Sequence, residues 1–200
     1  MAHDDTDFVK QERGLNARAA KMRKTAKASG NKLGVMCEVV DFYSDGTRLS
    51  GTIWRPEAAF AKGAAKLPGI LLAHGWGAKR AHLDFSYALR FAQAGFVTMT
   101  FDYRGWGDSD GVLVSVGRQP RTKDNKTAEA TLPVRIVRKV VDPAWQRRDL
   151  ASAMDYFCGV AGLDTSRIGL WGSSFGSGYV LMQVCLVGVV VGALPCVEVS

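Results

Sequence analysis

Histidine is scarce in this chain: the 200 residues hold three, His3, His74 and His82, and none follows position 82. Cysteine is nearly as sparse. Cys37, Cys158, Cys185 and Cys196 are scattered, with no C-x-x-C pair and no histidines at zinc-finger spacing. That pattern excludes a zinc knuckle and a dense disulfide framework, and it predicts reduced core thiols in a cytoplasmic protein. The first 32 residues contain no apolar run that could serve as a signal peptide, and Asp4, Asp5 and Asp7 stand where a transit peptide would avoid acids.

With 47% hydrophobic and 22% charged residues, the composition is that of a globular domain rather than a disordered or fibrous chain, and the length suits one core. The formal net charge of +7 raises the question of an anionic partner. Its distribution argues against one. Eight basic against four acidic residues lie in positions 1–33, and nine against three in 118–148, so the rest of the chain is slightly acidic. The excess belongs to a basic N-terminal extension, 1–33, and to an insertion around 112–141, not to a stripe that would track nucleic acid. The domain proper is then 34–200.

Along that domain the pattern is α/β. Two β-rich segments, 35–42 and 48–54, flank Ser44-Asp45-Gly46-Thr47, where Asp-Gly predicts a tight hairpin. A loop at 56–66 leads to the apolar run 68–73, which suits a parallel strand buried on both faces. Leu83, Tyr87, Phe91 and Ala94 recur at helical spacing up to Gly95, and a strand at 96–101 follows. The segment 134–141 reads as a further strand within the insertion. Asp142-Pro143 is an N-cap with proline at the first helical position, and Leu150, Met154 and Phe157 line one face of the helix it opens. Residues 159–166 read as a loop and 167–171 as a strand. The stretch 179–199 is long and apolar enough to raise a membrane span, with Gln183 and Glu198 its clearly polar side chains. Gly188, Gly192 and Pro195 interrupt it, so a buried helix followed by a buried strand is the preferred reading and no membrane association is expected.

The chemistry concentrates at Gly172-Ser173-Ser174-Phe175-Gly176, a G-x-S-x-G pattern. Chance would place that pattern in a chain of this composition roughly 0.14 times, so its context decides. A strand precedes it, small residues surround it, and an apolar helix from Gly178 follows. That is the strand–turn–helix of a nucleophile elbow, in which Ser174 projects from the sheet and the helix N-terminus faces developing negative charge. The loop His74-Gly75-Trp76-Gly77 closes an earlier strand. The backbone N–H groups of Phe175 and Trp76 are the expected oxyanion donors, each worth about 3 kcal/mol of barrier. His74 reads as a loop-organising residue, Asp102 and Arg104 as charges that pin the turn after the fourth strand, and Asp108 and Asp110 as solvated or turn-capping. Trp76 and Trp106, in Gly-Trp-Gly loops, are candidates to shape an acyl pocket.

Taken together, the hairpin, the loop 72–77, the run Phe101-Asp-Tyr-Arg-Gly-Trp-Gly-Asp-Ser-Asp-Gly111 and the segment 167–176 resemble the α/β-hydrolase superfamily. The resemblance is to its dienelactone-hydrolase-like, acetyl-esterase-like and Xaa-Pro-dipeptidyl-peptidase-like members, and it covers roughly residues 35–178 in the expected order. It implies a mostly parallel sheet with helices on both faces, and a serine hydrolase that cleaves esters or peptide bonds through an acyl-enzyme without a cofactor or metal. Dienelactone hydrolases proper carry cysteine at the nucleophile position, so Ser174 favours an esterase- or peptidase-like member. The family places its triad acid and then its histidine after the nucleophile. Here residues 175–200 hold no histidine and no aspartate, and Glu198 is their single carboxylate, a weak candidate for the acid. His82, at a helix start, is a weak candidate to approach the site. Six strands are countable where the family sheet continues for two more, so the expectation is the N-terminal part of such an enzyme, ending after about the sixth strand. The alternative is a catalytically inactive fragment.

Overall fold

The computed structural model describes residues 34–61, 63–118, 131–187 and 194–196. The basic extension and Glu198 lie outside the described residues, as does His3. The described residues open with two ten-residue strands, β1 (Val35–Ser44) and β2 (Thr47–Pro56), paired antiparallel with Ser44 opposite Thr47. The two turn residues, Asp45 and Gly46, have φ of 46° and 77°, the left-handed pair that a two-residue hairpin matched to strand twist requires.

Four more strands join this hairpin: β3 (Leu67–Ala73), β4 (Val97–Phe101), β7 (Leu163–Ser173) and β8 (Leu194–Cys196). The sheet order is β1-β2-β4-β3-β7-β8. β2 and β4 pair antiparallel, whereas β3 pairs parallel to both β4 and β7, and β7 parallel to β8. The central strands alternate between two cores. Leu71, Ala73, Met99, Phe101, Ile168 and Leu170 pack into one, while Leu72, Trp54 and Trp171 pack into the other. Helices cover both faces, because a parallel sheet buried on two sides needs an apolar partner on each.

Helix α1 covers the second core with Leu83, Ala88, Leu89 and Ala92. It runs through Arg80–Leu83, a π-helical turn at Asp84–Ala88, and Leu89–Gln93. The periodicity located this helix but not its wide turn. Two hydroxyls of β4 bond to that turn: Thr100 Oγ1 donates to the Asp84 carboxylate at 2.5 Å, and Thr98 Oγ1 to the Ala88 carbonyl at 3.1 Å. The opposite face carries α2 (Pro143–Cys158) and α3 (Phe175–Val187), which supply Leu150, Ala153, Phe157, Tyr179 and Val180 to the first core. Asp142 caps α2 by accepting from the backbone N–H groups of Ala144 and Trp145, as its sequence predicts.

Several boundaries differ from expectation. Part of the predicted loop 159–166 belongs to β7, because Leu163 pairs with Leu67 and anchors the strand five residues before its central register resumes at Gly69 and Ile168. The apolar helix begins at Phe175 rather than Gly178. In the 112–141 segment, β5 (Val112–Ser115) and β6 (Val134–Val137) form a separate antiparallel ribbon, so the predicted strand is shorter and has a partner that periodicity did not reveal. Cys37 is buried, but Cys158 and Cys185 are exposed, contrary to a core role. The apolar C-terminal stretch divides into α3 and β8, and among the described residues no helix is long and apolar enough to cross a membrane.

Candidate functional site

The elbow is built from close approaches that tolerate no side chain. A Cβ on Gly172 would lie 2.6 Å from the backbone of Gly176 and Ser177, and one on Gly176 would lie 2.5 Å from the Ala73 carbonyl oxygen and 2.6 Å from that of His74. Glycine at both positions lets the turn fold onto itself and onto the end of β3. Ser177 Oγ donates to the Gly172 carbonyl at 2.8 Å and closes the turn. Ser174 sits at its apex with φ of 51°, a left-handed conformation that costs a non-glycine residue of order 1–3 kcal/mol. It is solvent-exposed. Strain at an exposed serine between a strand and a helix leaves the hydroxyl accessible at the sheet's C-terminal edge, where α/β ligand sites form.

The loop after β3 lies against this apex. A Cβ on Gly75 would meet the Ser173 carbonyl oxygen at 2.8 Å, Ser174 Cβ at 3.0 Å and the Phe175 nitrogen at 3.5 Å, so Gly75 brings the backbone leading to Trp76 alongside the serine. Phe175 opens α3, where the first backbone N–H groups have no carbonyl within the helix to accept them. Trp76 is 69% exposed, and its ring packs edge-on to Phe175 with centroids 5.6 Å apart.

His74 sits under this loop, fully buried. Its Nδ1 is 2.9 Å from the Gly75 carbonyl oxygen, and its ring meets Tyr103 edge-on at 4.6 Å. Burial pushes its imidazole below the ordinary value of 6.5, against the opposing pull of Asp102. A neutral ring bonded to its own loop organises that loop. His82 is placed on α1, where its Nδ1 accepts from the Lys79 backbone N–H at 3.1 Å, and it lines a cavity described below.

Two buried ion pairs anchor the turn after β4. Asp102 accepts the backbone N–H of Arg80 at 2.9 Å, and its carboxylate lies 3.3 Å from the Arg80 guanidinium, which also donates to Asp108 at 2.7 Å. Arg104 donates through Nε to Asp149 at 2.8 Å, and its backbone N–H donates to the other carboxylate oxygen at 2.9 Å. Burial pushes the Asp149 carboxyl up, and Arg104 offsets part of that shift. The pinning role expected of Asp102 and Arg104 is therefore realised, but toward separate partners. Asp108 and Asp110 are ion-paired, to Arg80 and Arg48, rather than merely solvated. Arg80 and Asp149 escaped the sequence reading. A signal existed for Asp149, since it sits within the buried stripe Gln146, Leu150, Ala153 and Phe157 of α2, where a lone carboxylate demands a cation.

The loop after β3 leads from Gly75 into a cavity of about 710 Å³, walled by Trp76 and Trp106 and reached by Lys79, His82, Arg138 and Lys139; Ser174 itself does not line it. Trp106 is held in place by its indole N–H, which donates to the Val140 carbonyl at 3.1 Å. The volume falls within the usual range for a small-molecule site. Among the described residues no cluster of side chains could hold a metal ion.

Comparison with known proteins matches residues 45–185 to the X-Pro dipeptidyl-peptidase (S15 family). Quorum-quenching protein AidA of Acinetobacter baumannii is 31% identical over 142 residues, which are 71% of this chain and 37% of AidA. Among solved structures, the hypothetical protein PA2218 from Pseudomonas aeruginosa superposes with a TM-score of 0.58 at 25% identity, over 80% of this chain and 42% of that one. The alpha/beta hydrolase GrgF from Penicillium sp. sh18 gives 0.58 at 21% identity, over 78% and 44%, a likeness of fold. The chain thus spans well under half the length of these relatives.

Proposed function

Because the chain belongs to the X-Pro dipeptidyl-peptidase (S15) family, an α/β-hydrolase fold, we propose that it bears the nucleophile and oxyanion site of a serine hydrolase acting on a small-molecule ester or a peptide. The observation that carries this reading is the strained apex: Ser174 at φ of 51°, flanked by glycines that admit no Cβ, with the Gly75-Trp76 backbone beside it. In the proposed reaction Ser174 Oγ attacks the scissile carbonyl carbon and its proton passes to a base. The carbonyl oxygen becomes an oxyanion held by the N–H groups of Trp76 and Phe175. Collapse of that intermediate expels the alcohol or amine and leaves an ester on Ser174, which water then hydrolyses. No cofactor enters these steps. The free thiols of Cys158 and Cys185 favour a cytoplasmic setting.

The base is the missing part. No histidine follows Ser174 in these 200 residues, and most of the length of AidA and PA2218 lies outside the matched part. Loss of a triad histidine costs about 10⁶ in turnover in the subtilisin case. Full activity is accordingly proposed to need an acid and a histidine beyond those described, with Glu198 a weak candidate for the acid. A test supplies the base chemically: incubation with a fluorophosphonate, with and without added imidazole, followed by peptide mass mapping. The expected adduct falls on the peptide carrying Ser174, forms faster with imidazole, and is absent from Ser174→Ala. No adduct at Ser174 even with imidazole overturns the nucleophile assignment.

A further inference from the structure

The cavity that Trp76 shares with Trp106 has an uneven chemistry. Two tryptophans form its walls, each fixed by a contact of its own, Trp76 against Phe175 and Trp106 through its indole N–H to Val140. Next to the turn that carries Trp106 stand Arg138 and Lys139, which leave β6 in succession and also line the cavity. Among the described residues no carboxylate lines the cavity. The acids in the neighbouring turn are turned elsewhere: Asp102 and Asp108 to Arg80, and Asp110 to Arg48.

Arg138 is bonded in a way that leaves its charge uncompensated. Its two terminal nitrogens donate to the backbone carbonyls of Ser109 and Gly107, at 2.9 and 3.0 Å, and among the described residues it forms no ion pair. Carbonyl acceptors orient a guanidinium without neutralising it, so it remains a fixed positive group at the cavity edge. Lys139 follows at φ of 58°, its backbone N–H donating to the Gly105 carbonyl at 3.1 Å, which holds the chain against the glycine turn that carries Trp106.

We propose that this cavity selects substrates that combine a flat apolar body with an anionic group: the body packs against Trp76 and Trp106 and the anion pairs with Arg138 and Lys139. The inference rests on the reading of Ser174 as nucleophile in naming the ligand a substrate, but its recognition chemistry is independent of catalysis. Binding is therefore the readout. Isothermal titration of the whole chain with 1-naphthylacetate and its neutral isostere 1-naphthylacetamide, at low ionic strength, compares an anion with an uncharged ligand of the same shape.

The carboxylate is expected to bind at least about tenfold more tightly than the amide, the equivalent of one charge-assisted contact. That preference should shrink toward unity in Lys139→Gln and in the pair Arg138→Gln/Lys139→Gln. Trp106→Ala should weaken both ligands alike. Lys139→Gln keeps the selectivity test informative if loss of the Arg138 hydrogen bonds disturbs the glycine turn. Equal binding of the two ligands, binding of neither, or a preference that survives removal of both cations overturns the proposal. Fluorophosphonate labelling can fail while this titration succeeds, or the reverse, so the two readings are separable.

Discussion

Replacing Gly176 by alanine puts the packing of the elbow to a direct test. The added Cβ would lie 2.5 Å from the Ala73 carbonyl oxygen, 2.6 Å from that of His74 and 2.9 Å from the His74 carbonyl carbon. Ordinary contact begins near 3.4 Å, so the overlap is about 0.9 Å, and it falls on backbone that no rotamer change can move. Overpacking of this kind costs about 1–3 kcal/mol, and the rigid neighbours place Gly176→Ala at the upper end. At about 2–4 °C per kcal/mol for a chain of this size, the melting temperature should fall by about 6–12 °C. Gly178→Ala is the control, two residues along the same helix. Nothing lies within 4 Å of its would-be Cβ, and alanine is the better helix former by up to about 1 kcal/mol, so that variant should be unchanged or slightly more stable. Thermal melts followed by circular dichroism, with urea midpoints as a second measure, check both. If Gly176→Ala melted together with Gly178→Ala, the close approach of the elbow to the end of β3 would be wrong.

Two further outcomes concern the groups beneath the site. Burial lowers the His74 pKa below its unfolded value of 6.5, so the unfolded chain binds more protons in that window and stability drops as pH falls from 6.5 toward the folded value. Urea midpoints between pH 7.5 and 5 should reveal this slope in the wild type, and His74→Gln should flatten it. Asp149→Ala would leave the buried Arg104 guanidinium only Ser44 and the 3.3 Å contact to the exposed Asp45, and should cost about 3 kcal/mol in urea unfolding, whereas Asp149→Leu combined with Arg104→Met should recover much of that loss.

Much of the site was legible because its parts are local. Asp45-Gly46 dictates a hairpin by itself, Asp142-Pro143 starts a helix by itself, and G-x-S-x-G after an apolar strand implies a tight turn whose two glycines have mutually close neighbours. What escaped depends on three-dimensional partnership. Arg80 pairs with Asp102 across 22 residues, and Arg104 with Asp149 across 45. β5 and β6 meet across the segment between Ser115 and Val134 and leave Leu113 and Ile136 exposed, so no buried face imposes the alternation that would have betrayed them. The π-helical turn in α1 is likewise set by hydroxyls on β4, a strand that follows it in sequence. The exposure of Cys158 and Cys185 was hidden for the same reason: an apolar context in the chain does not say which side of a helix faces the sheet.

The parallel pairing of Ala73 with Gly172 deserves one last consequence. The loop that carries Trp76 and the turn that carries Ser174 spring from adjoining strands at the same level. Their separation is therefore set by the backbone hydrogen-bond spacing of a sheet, about 4.8 Å. A sheet works here as a ruler whose graduation is the peptide group itself, indifferent to side-chain identity. Surface segments such as the turn after β2, or the ribbon β5–β6, can change in length and composition without altering that gap, so the spacing of the two loops is set by the main chain alone.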